Sequence, residues 1–239
     1  MENTLQDEIY YCPICNKPLK DVYNENIIAQ CIYCGKKERA DYLCPEGHYI
    51  CEECRLSDIE KIIYKAALYW TFKNPLTIAE LFMKHASVPK HGKEHHFIPA
   101  TALVMAAKNA LNQRISKSLI KSIIVRGNII PYGSCGFLGD CGAAVSAGIA
   151  VSVLTHASYK SDTERALSMK ATSMVLDALS KVKGPRCCKQ SVYFSIKIGS
   201  MVIHDMLKIP IVIPKKVICS FYEVIDDCKK ENCPFYPKT

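Results

Sequence analysis

The chain has 239 residues, of which 49% are hydrophobic, with 11 Gly, 12 Pro and a formal net charge of +8. That length can bury a sizeable core in one or two domains, and near-average Gly and Pro without a low-complexity tract or fixed-period repeat exclude disordered, collagen-like and solenoid classes. Charge is divided unevenly: residues 1–56 carry ten acids and six bases, whereas residues 57–239 carry thirteen acids and 25 bases.

The first residues, MENTLQDEIYYCPIC, offer neither a basic n-region nor an apolar h-region. No secretory signal is read there, and a cytoplasmic location is expected. Fourteen cysteines in such a chain point to metal or redox chemistry before structural disulfides.

Residues 1–56 read as a Cys/His-rich zinc module. Four ligand pairs occur in order: Cys12 with Cys15, Cys31 with Cys34, Cys44 with His48, and Cys51 with Cys54. A C-x-x-C turn lets two thiolates grip one ion while backbone amides point at the sulfurs, so eight ligands make two tetrahedral sites. Mixed Cys and His ligands favour zinc over iron. Cys31 and Cys34 followed by Gly35 read as a knuckle, KERADYLCPEGHYI as a hairpin, and Cys51 and Cys54 as the first turn of a helix. That order is a treble clef. Cys44 and His48 then pair with Cys12 and Cys15 in an interleaved, RING-like cross-brace; sequential pairing, with Cys12, Cys15, Cys31 and Cys34 on one ion, is the alternative. The acidic balance of this head argues against nucleic acid as its partner.

Residues 57–239 read as an all-α bundle with a short extended cysteine-containing tail. Ser57-Asp58-Ile59-Glu60 reads as a capping box opening a helix to about Phe72. Asn74-Pro75 opens a second helix, ending near His85, and Pro99 stands in the first turn of a third that carries residues 100–111. Ser116 caps a fourth, closed by Gly127-Asn128. Asp140 can cap the helix that starts at Cys141. That uncharged run, 141–159, reaches membrane length, but its Gly, Ser, Thr and His content fits a buried helix better than a span. Ala144, Gly148 and Ser152 share one face that admits a close neighbour. A second capping box, Ser161 to Glu164, opens a helix to about Val182. The last helix runs from about Cys188 to Leu207, and IPIVIP after it can form no more than an isolated strand.

Three groups in the body carry chemistry. In GSCGFLGDCGAA, glycines allow close approach of backbone amides around Cys135, and Cys141 starts a helix, where the dipole stabilises a thiolate. GPRCCKQS repeats the device, with Cys187 and Cys188 between Arg186 and Lys189, cations expected to lower the thiol pKa further. HGKEHH supplies His91, His95 and His96 for metal binding or acid–base work; it departs from H-E-x-x-H, so no peptidase is read. These groups are expected to converge on one pocket, with Arg186 holding an anionic substrate. In the tail, Cys219, Cys228 and Cys233-Pro234 can hold three corners of an iron–sulfur cluster, with Cys187 or Cys188 as the fourth ligand, or a further soft metal such as zinc.

The segments CPIC, CIYCGKK, GHYICEEC, HGKEHHFIPA, CGFLGDCGAAVSAGIAVSVL, GPRCCK and the final CPF resemble, over nearly the whole chain, an uncharacterised cysteine-rich domain family of anaerobic prokaryotes. That resemblance implies a metal-rich helical protein and supplies no reaction. CGAAVSAG is also similar, more faintly, to redox proteins with a C, GCAxxG, C, C pattern, from which it departs by ending AxxxxG. The resemblance further implies a methyltransferase or redox protein as partner; the chain has no G-x-G-x-G turn of its own. The expected function is redox or sulfur handling through a thiolate/histidine metal or iron–sulfur site. A zinc-stabilised adaptor for an acidic partner and a zinc-thiolate methyl or sulfur transferase are the alternatives.

Overall fold

The protein is described from a computed structural model that covers residues 9–238; residues 1–8, on which part of the leader reading rests, lie outside it. The head is built from the turns that ligand spacing dictates. In the first two knuckles the amide of the residue after the second cysteine bonds back to the carbonyl of the first: Asn16 to Cys12 at 2.8 Å and Gly35 to Cys31 at 2.9 Å. Both residues have positive φ. At Gly35 the choice is forced twice, because an added Cβ would lie 2.5 Å from the Tyr69 ring.

Short antiparallel strands join the knuckles. β1 (Lys20–Asp21) pairs with β4 (Tyr42–Leu43), and β2 (Ile28–Gln30) pairs with β3 (Lys37–Arg39). The stretch KERADYLCPEGHYI therefore does not form a self-paired hairpin: β3 and β4 take different partners upstream, which draws the first knuckle beside Cys44. α1 (Glu52–Arg55) is a single turn with Cys51 as its N-cap.

Among the described residues the body is helical. α2 (Ile59–Tyr69) starts one residue later than the capping box suggests: Asp58 accepts from the Lys61 amide at 2.8 Å, while Ser57 Oγ donates to the Glu53 carbonyl. α3 (Pro75–Met83) is capped by Asn74, and α4 (Ile98–Ala110) has Pro99 in its first turn. α5 (Lys117–Asn128) is capped by Ser116 and ends at Asn128, as expected, with Gly127 inside the last turn and not in a left-handed cap. Gly127 instead admits a close neighbour, since a Cβ would lie 2.8 Å from Phe97 Cβ and 2.9 Å from the His96 carbonyl oxygen. The single turn α6 (Ser134–Phe137) follows, then α7 (Gly142–Leu154), α8 (Thr163–Ser180) and α9 (Cys188–Leu207). α8 has no side-chain cap, so the second capping box is not made: Ser161 Oγ is spent on the Ser158 amide.

α7 lies at the centre, packed by α4, α5, α8 and α9. That placement accounts for its uncharged sequence, and no described helix is long and apolar enough to cross a membrane. Its small face works as expected: a Cβ on Gly148 would lie 2.2 Å from Thr172 Oγ1 and 2.7 Å from the Ser168 carbonyl of α8. One hydrophobic core runs from the head cysteines through α2, α3, α4, α7 and α9 into the tail. IPIVIP joins no strand; after Lys208 closes α9 at φ 56, the tail crosses the body as irregular chain, tied at its ends by the Cys219 amide and the Phe235 carbonyl at 2.7 Å.

Candidate metal centres and cavity

The eight head ligands form two groups, Cys12, Cys15, Cys44 and His48 in one, Cys31, Cys34, Cys51 and Cys54 in the other, with the ligand atoms of each within 4.8 Å of one another. The pairing is interleaved, as the knuckle order implies; the sequential alternative is not what folds. Cys15 and Cys44 sulfurs are 3.3 Å apart, Cys44 Sγ and His48 Nδ1 3.5 Å, and Cys34 and Cys51 sulfurs 3.7 Å. A tetrahedral ion with metal–sulfur bonds of about 2.3 Å separates its ligands by about 3.8 Å, so both groups fit one structural ion each, such as zinc. Cys31, Cys51 and Cys54 are fully buried in one group, and Cys12 and Cys44 are buried in the other, whose Cys15 and His48 are half-buried; with four protein ligands each, both groups have the composition of closed sites.

The chemistry-bearing residues of the body meet at a cavity of about 670 Å³. The single turn α6 brings Cys135, and the N-termini of α7 and α9 bring Cys141, Cys187 and Cys188, to its walls, with His95, His96 and Arg186. Cys135 stands exposed at the rim and Cys141 is half-buried. His91 is not on this wall; burial and the Arg186 charge lower its pKa. Arg186 lies over the Tyr132 ring, 4.6 Å from its centroid, and donates to the Tyr132 hydroxyl.

The glycine loop has a definite cause at one position. Gly142, first residue of α7, faces the His96 imidazole, and a Cβ there would lie 2.2 Å from His96 Cγ. The Gly142→Ala variant is expected to lose about 1–3 kcal/mol by overpacking and to turn His96 out of its place, measurable by denaturant unfolding together with the His96 ring resonances. An unaltered His96 environment would contradict this packing role. Asp140 does not cap α7; Cys141 occupies the N-cap position without a side-chain bond to the helix.

The expected lowering of the thiol pKa values is overturned. Burial pushes Cys188 up to about 11 and raises Cys187 as well, outweighing the helix-terminal amides and the cations nearby. Desolvation of a thiolate here exceeds what the helix end and the cations return, so both thiols are held protonated more firmly than a free cysteine. Both cavity histidines are held neutral, His95 well below its usual range by burial and His96 lowered for the same reason. Each ring has Nδ1 against a backbone carbonyl: His95 at Gly92, 3.1 Å, and His96 at Ile130, 3.2 Å. Nδ1 is thus the protonated nitrogen, and Nε2 keeps its lone pair.

Beneath the cavity the tail forms a small hollow of about 20 Å³, lined by Cys187, Cys219, Cys228 and Cys233 with Tyr193, Phe235 and other side chains. Cys188 does not reach it; of the two adjacent cysteines, Cys187 turns to the tail and also borders the cavity. No three of the hollow's sulfurs fall within the 4.8 Å that both head groups meet. Donors point at them: the Phe221 amide to Cys219 at 3.4 Å, the Gln190 amide to Cys187 at 3.5 Å, and Gln190 Nε2 to Cys233 at 3.1 Å.

Two residues matter here beyond the expected ligands: Gln190, which the sequence reading did not single out, and Lys189, which it read only as a flanking cation. Gln190 bridges the sulfurs and Lys229, which donates to its Oε1 at 2.9 Å. Lys189 is buried, 2% exposed, against the Met83 and Pro89 carbonyls and the Phe221 ring, and has no carboxylate ion pair among the described residues. Burial lowers its pKa to about 8, while the neighbouring Cys188, Cys187 and Cys219 act in the opposite sense. Its place beside Cys188 was visible in the sequence, but its direction into the core follows from helix phase, which a cationic neighbour alone does not reveal.

Neither curated proteins nor solved structures give a match to this chain. The cavity, α9 and the tail hollow all fall within residues 63–236, the span matched by the model of a family of unknown function, DUF5714; the match covers more than half of the chain, which therefore belongs to that family.

Proposed function

We propose that the protein is an electron-handling metalloprotein: two zinc ions hold the head, and Cys187, Cys219, Cys228 and Cys233 hold an iron–sulfur cluster beneath the cavity. One observation carries this reading. Four cysteines at the start of α9 and in the tail line one aromatic-bordered hollow, and no three of their sulfurs gather as the ligands of one tetrahedral ion do; the free space between them is small, so the irregular tail moves outward to admit a cluster. Such spacing suits a polynuclear cluster, whose thiolate ligands sit on separate irons. The donors aimed at Cys187, Cys219 and Cys233 are of the kind that tune a cluster's potential. Lys189, buried and with no carboxylate ion pair among the described residues, supplies positive charge beside the anionic thiolates.

Cys187 borders both hollow and cavity, so an electron held below has a short path to a substrate above. The cluster supplies one-electron chemistry; the chain's own groups bind, orient and exclude water. The strongly basic balance of residues 57–239 suits an acidic redox protein as the source of electrons, guided by charge.

Anaerobic reconstitution with iron and sulfide tests the proposal. About four irons and four sulfides per chain, with charge-transfer absorption bleached by dithionite, are expected, and Cys219→Ser or Cys233→Ser should abolish or destabilise them while the head zinc remains. Colourless protein carrying zinc alone would overturn the reading in favour of a zinc-held adaptor.

A further inference from the structure

A second group of buried polar atoms is not used by the tail hollow. Among the described residues, His91 Nδ1, Glu94 Oε2, His95 Nε2 and Asp140 Oδ1 are buried and find no hydrogen-bond partner. His95 is fully buried, lines the cavity, and its tautomer leaves Nε2 as a bare acceptor. Buried acceptors without donors are costly unless something electropositive meets them.

Gly92 ties this group together. Its carbonyl receives His95 Nδ1–H at 3.1 Å, and its amide lies close enough to the Cys188 sulfur to act against the burial that raises that thiol's pKa. One residue therefore orients the imidazole and stands beside the thiol. Nothing larger than glycine fits, because a Cβ would lie 2.1 Å from Glu94 Oε2 and 2.6 Å from Pro89 Cγ. Cys141 is near enough for its charge to act on Cys188. A ring N–H held by a backbone carbonyl, with the second nitrogen bare, is the arrangement that outer groups impose on a metal-ligating histidine.

We infer that His95 Nε2 and Cys188 Sγ, with Cys141 Sγ beside them, hold a divalent transition-metal ion that is open to the cavity. The nitrogen and sulfur donors select a borderline or soft ion such as zinc, ferrous iron or cobalt over magnesium or calcium. No three ligand atoms here lie within 4.8 Å of one another, in contrast to the head. The three donors do not make a closed structural site; an ion held by them alone would leave coordination positions to a substrate entering the cavity, as catalytic metal sites do. Binding through the Cys188 thiolate releases its proton to solvent. The ion is separate from the tail cluster, so the two can fail independently.

Cobalt(II) is the probe. Full-length protein with its head zinc in place is titrated with Co2+ under anaerobic conditions, as wild type and as Cys188→Ser, His95→Gln and Cys219→Ser. One cobalt with thiolate-to-metal charge transfer is expected in wild type and in Cys219→Ser. Affinity should fall at least about 10–100-fold in His95→Gln and Cys188→Ser, and any cobalt that Cys188→Ser still binds should show weaker charge transfer. Circular dichroism and two retained head zinc ions serve as the fold control; should His95→Gln misfold, Cys188→Ser, at the first residue of α9, decides the matter. No cobalt site in Cys219→Ser, or one that neither cavity variant alters, overturns the inference. Iron loading of the tail, measured in Cys188→Ser, reports separately on the cluster.

Discussion

The Cys51→Ser variant should retain about one structural metal ion per chain in place of two, and lose the fold of the head around Cys31, Cys34 and Cys54. Cys51 is fully buried, its sulfur 3.7 Å from that of Cys34, and no other Cys, His or carboxylate joins this group. A structural zinc contributes binding free energy on the order of 10 kcal/mol to folding, well beyond what a small domain keeps in reserve. Because pairing is interleaved, Cys15→Ser should empty the other site and spare this one. Elemental analysis of each variant gives the count, and limited proteolysis locates the loosened segment. Unchanged metal content in Cys51→Ser would remove Cys51 as a ligand.

The head's ligand sets were legible because their determinants are local. C-x-x-C followed by Asn16 or Gly35 fixes a turn, and the order of turns leaves few ways to complete two tetrahedra. Three of the hollow's four cysteines were legible in the same manner. The fourth needed α9 phase: Cys187, as N-cap, turns to the tail, and Cys188, one residue on, turns toward Gly92. Helix starts were readable to within a residue, with Ser57 and Asp58 both competent caps and only the chain path deciding for Asp58. Thiol acidity was not readable. Charges and dipoles are properties of neighbours in sequence, whereas the burial that raises Cys188 comes from residues far along the chain. Pairing of β3 and β4 with separate upstream strands, in place of a hairpin, is non-local for the same reason.

Tyr33→Ala should produce the largest loss of stability of any single substitution outside the ligands. Tyr33 lies between Cys31 and Cys34 in the second knuckle but is fully buried, its ring meeting Trp70 of the body at 5.8 Å and His85 at 5.2 Å between centroids. Its hydroxyl donates to the Leu81 carbonyl at 2.8 Å, one of the last-turn carbonyls of α3 that have no partner within the helix. Further bonds cross the same seam: Trp70 Nε1 to the Ile32 carbonyl at 2.6 Å and His85 Nε2 to the Cys54 carbonyl at 2.9 Å. Removing a buried aromatic ring costs about 3–5 kcal/mol. Tyr33→Phe, which keeps the ring and leaves the Leu81 carbonyl unpaired, should cost about 1–3 kcal/mol. Because the core is continuous across this seam, the Ala variant should lower the unfolding midpoint of the α-helical signal as well as loosening the head. Denaturant unfolding followed by far-ultraviolet circular dichroism measures both losses. A helical transition unmoved in Tyr33→Ala would mean that head and body fold independently, with the seam contributing little to either.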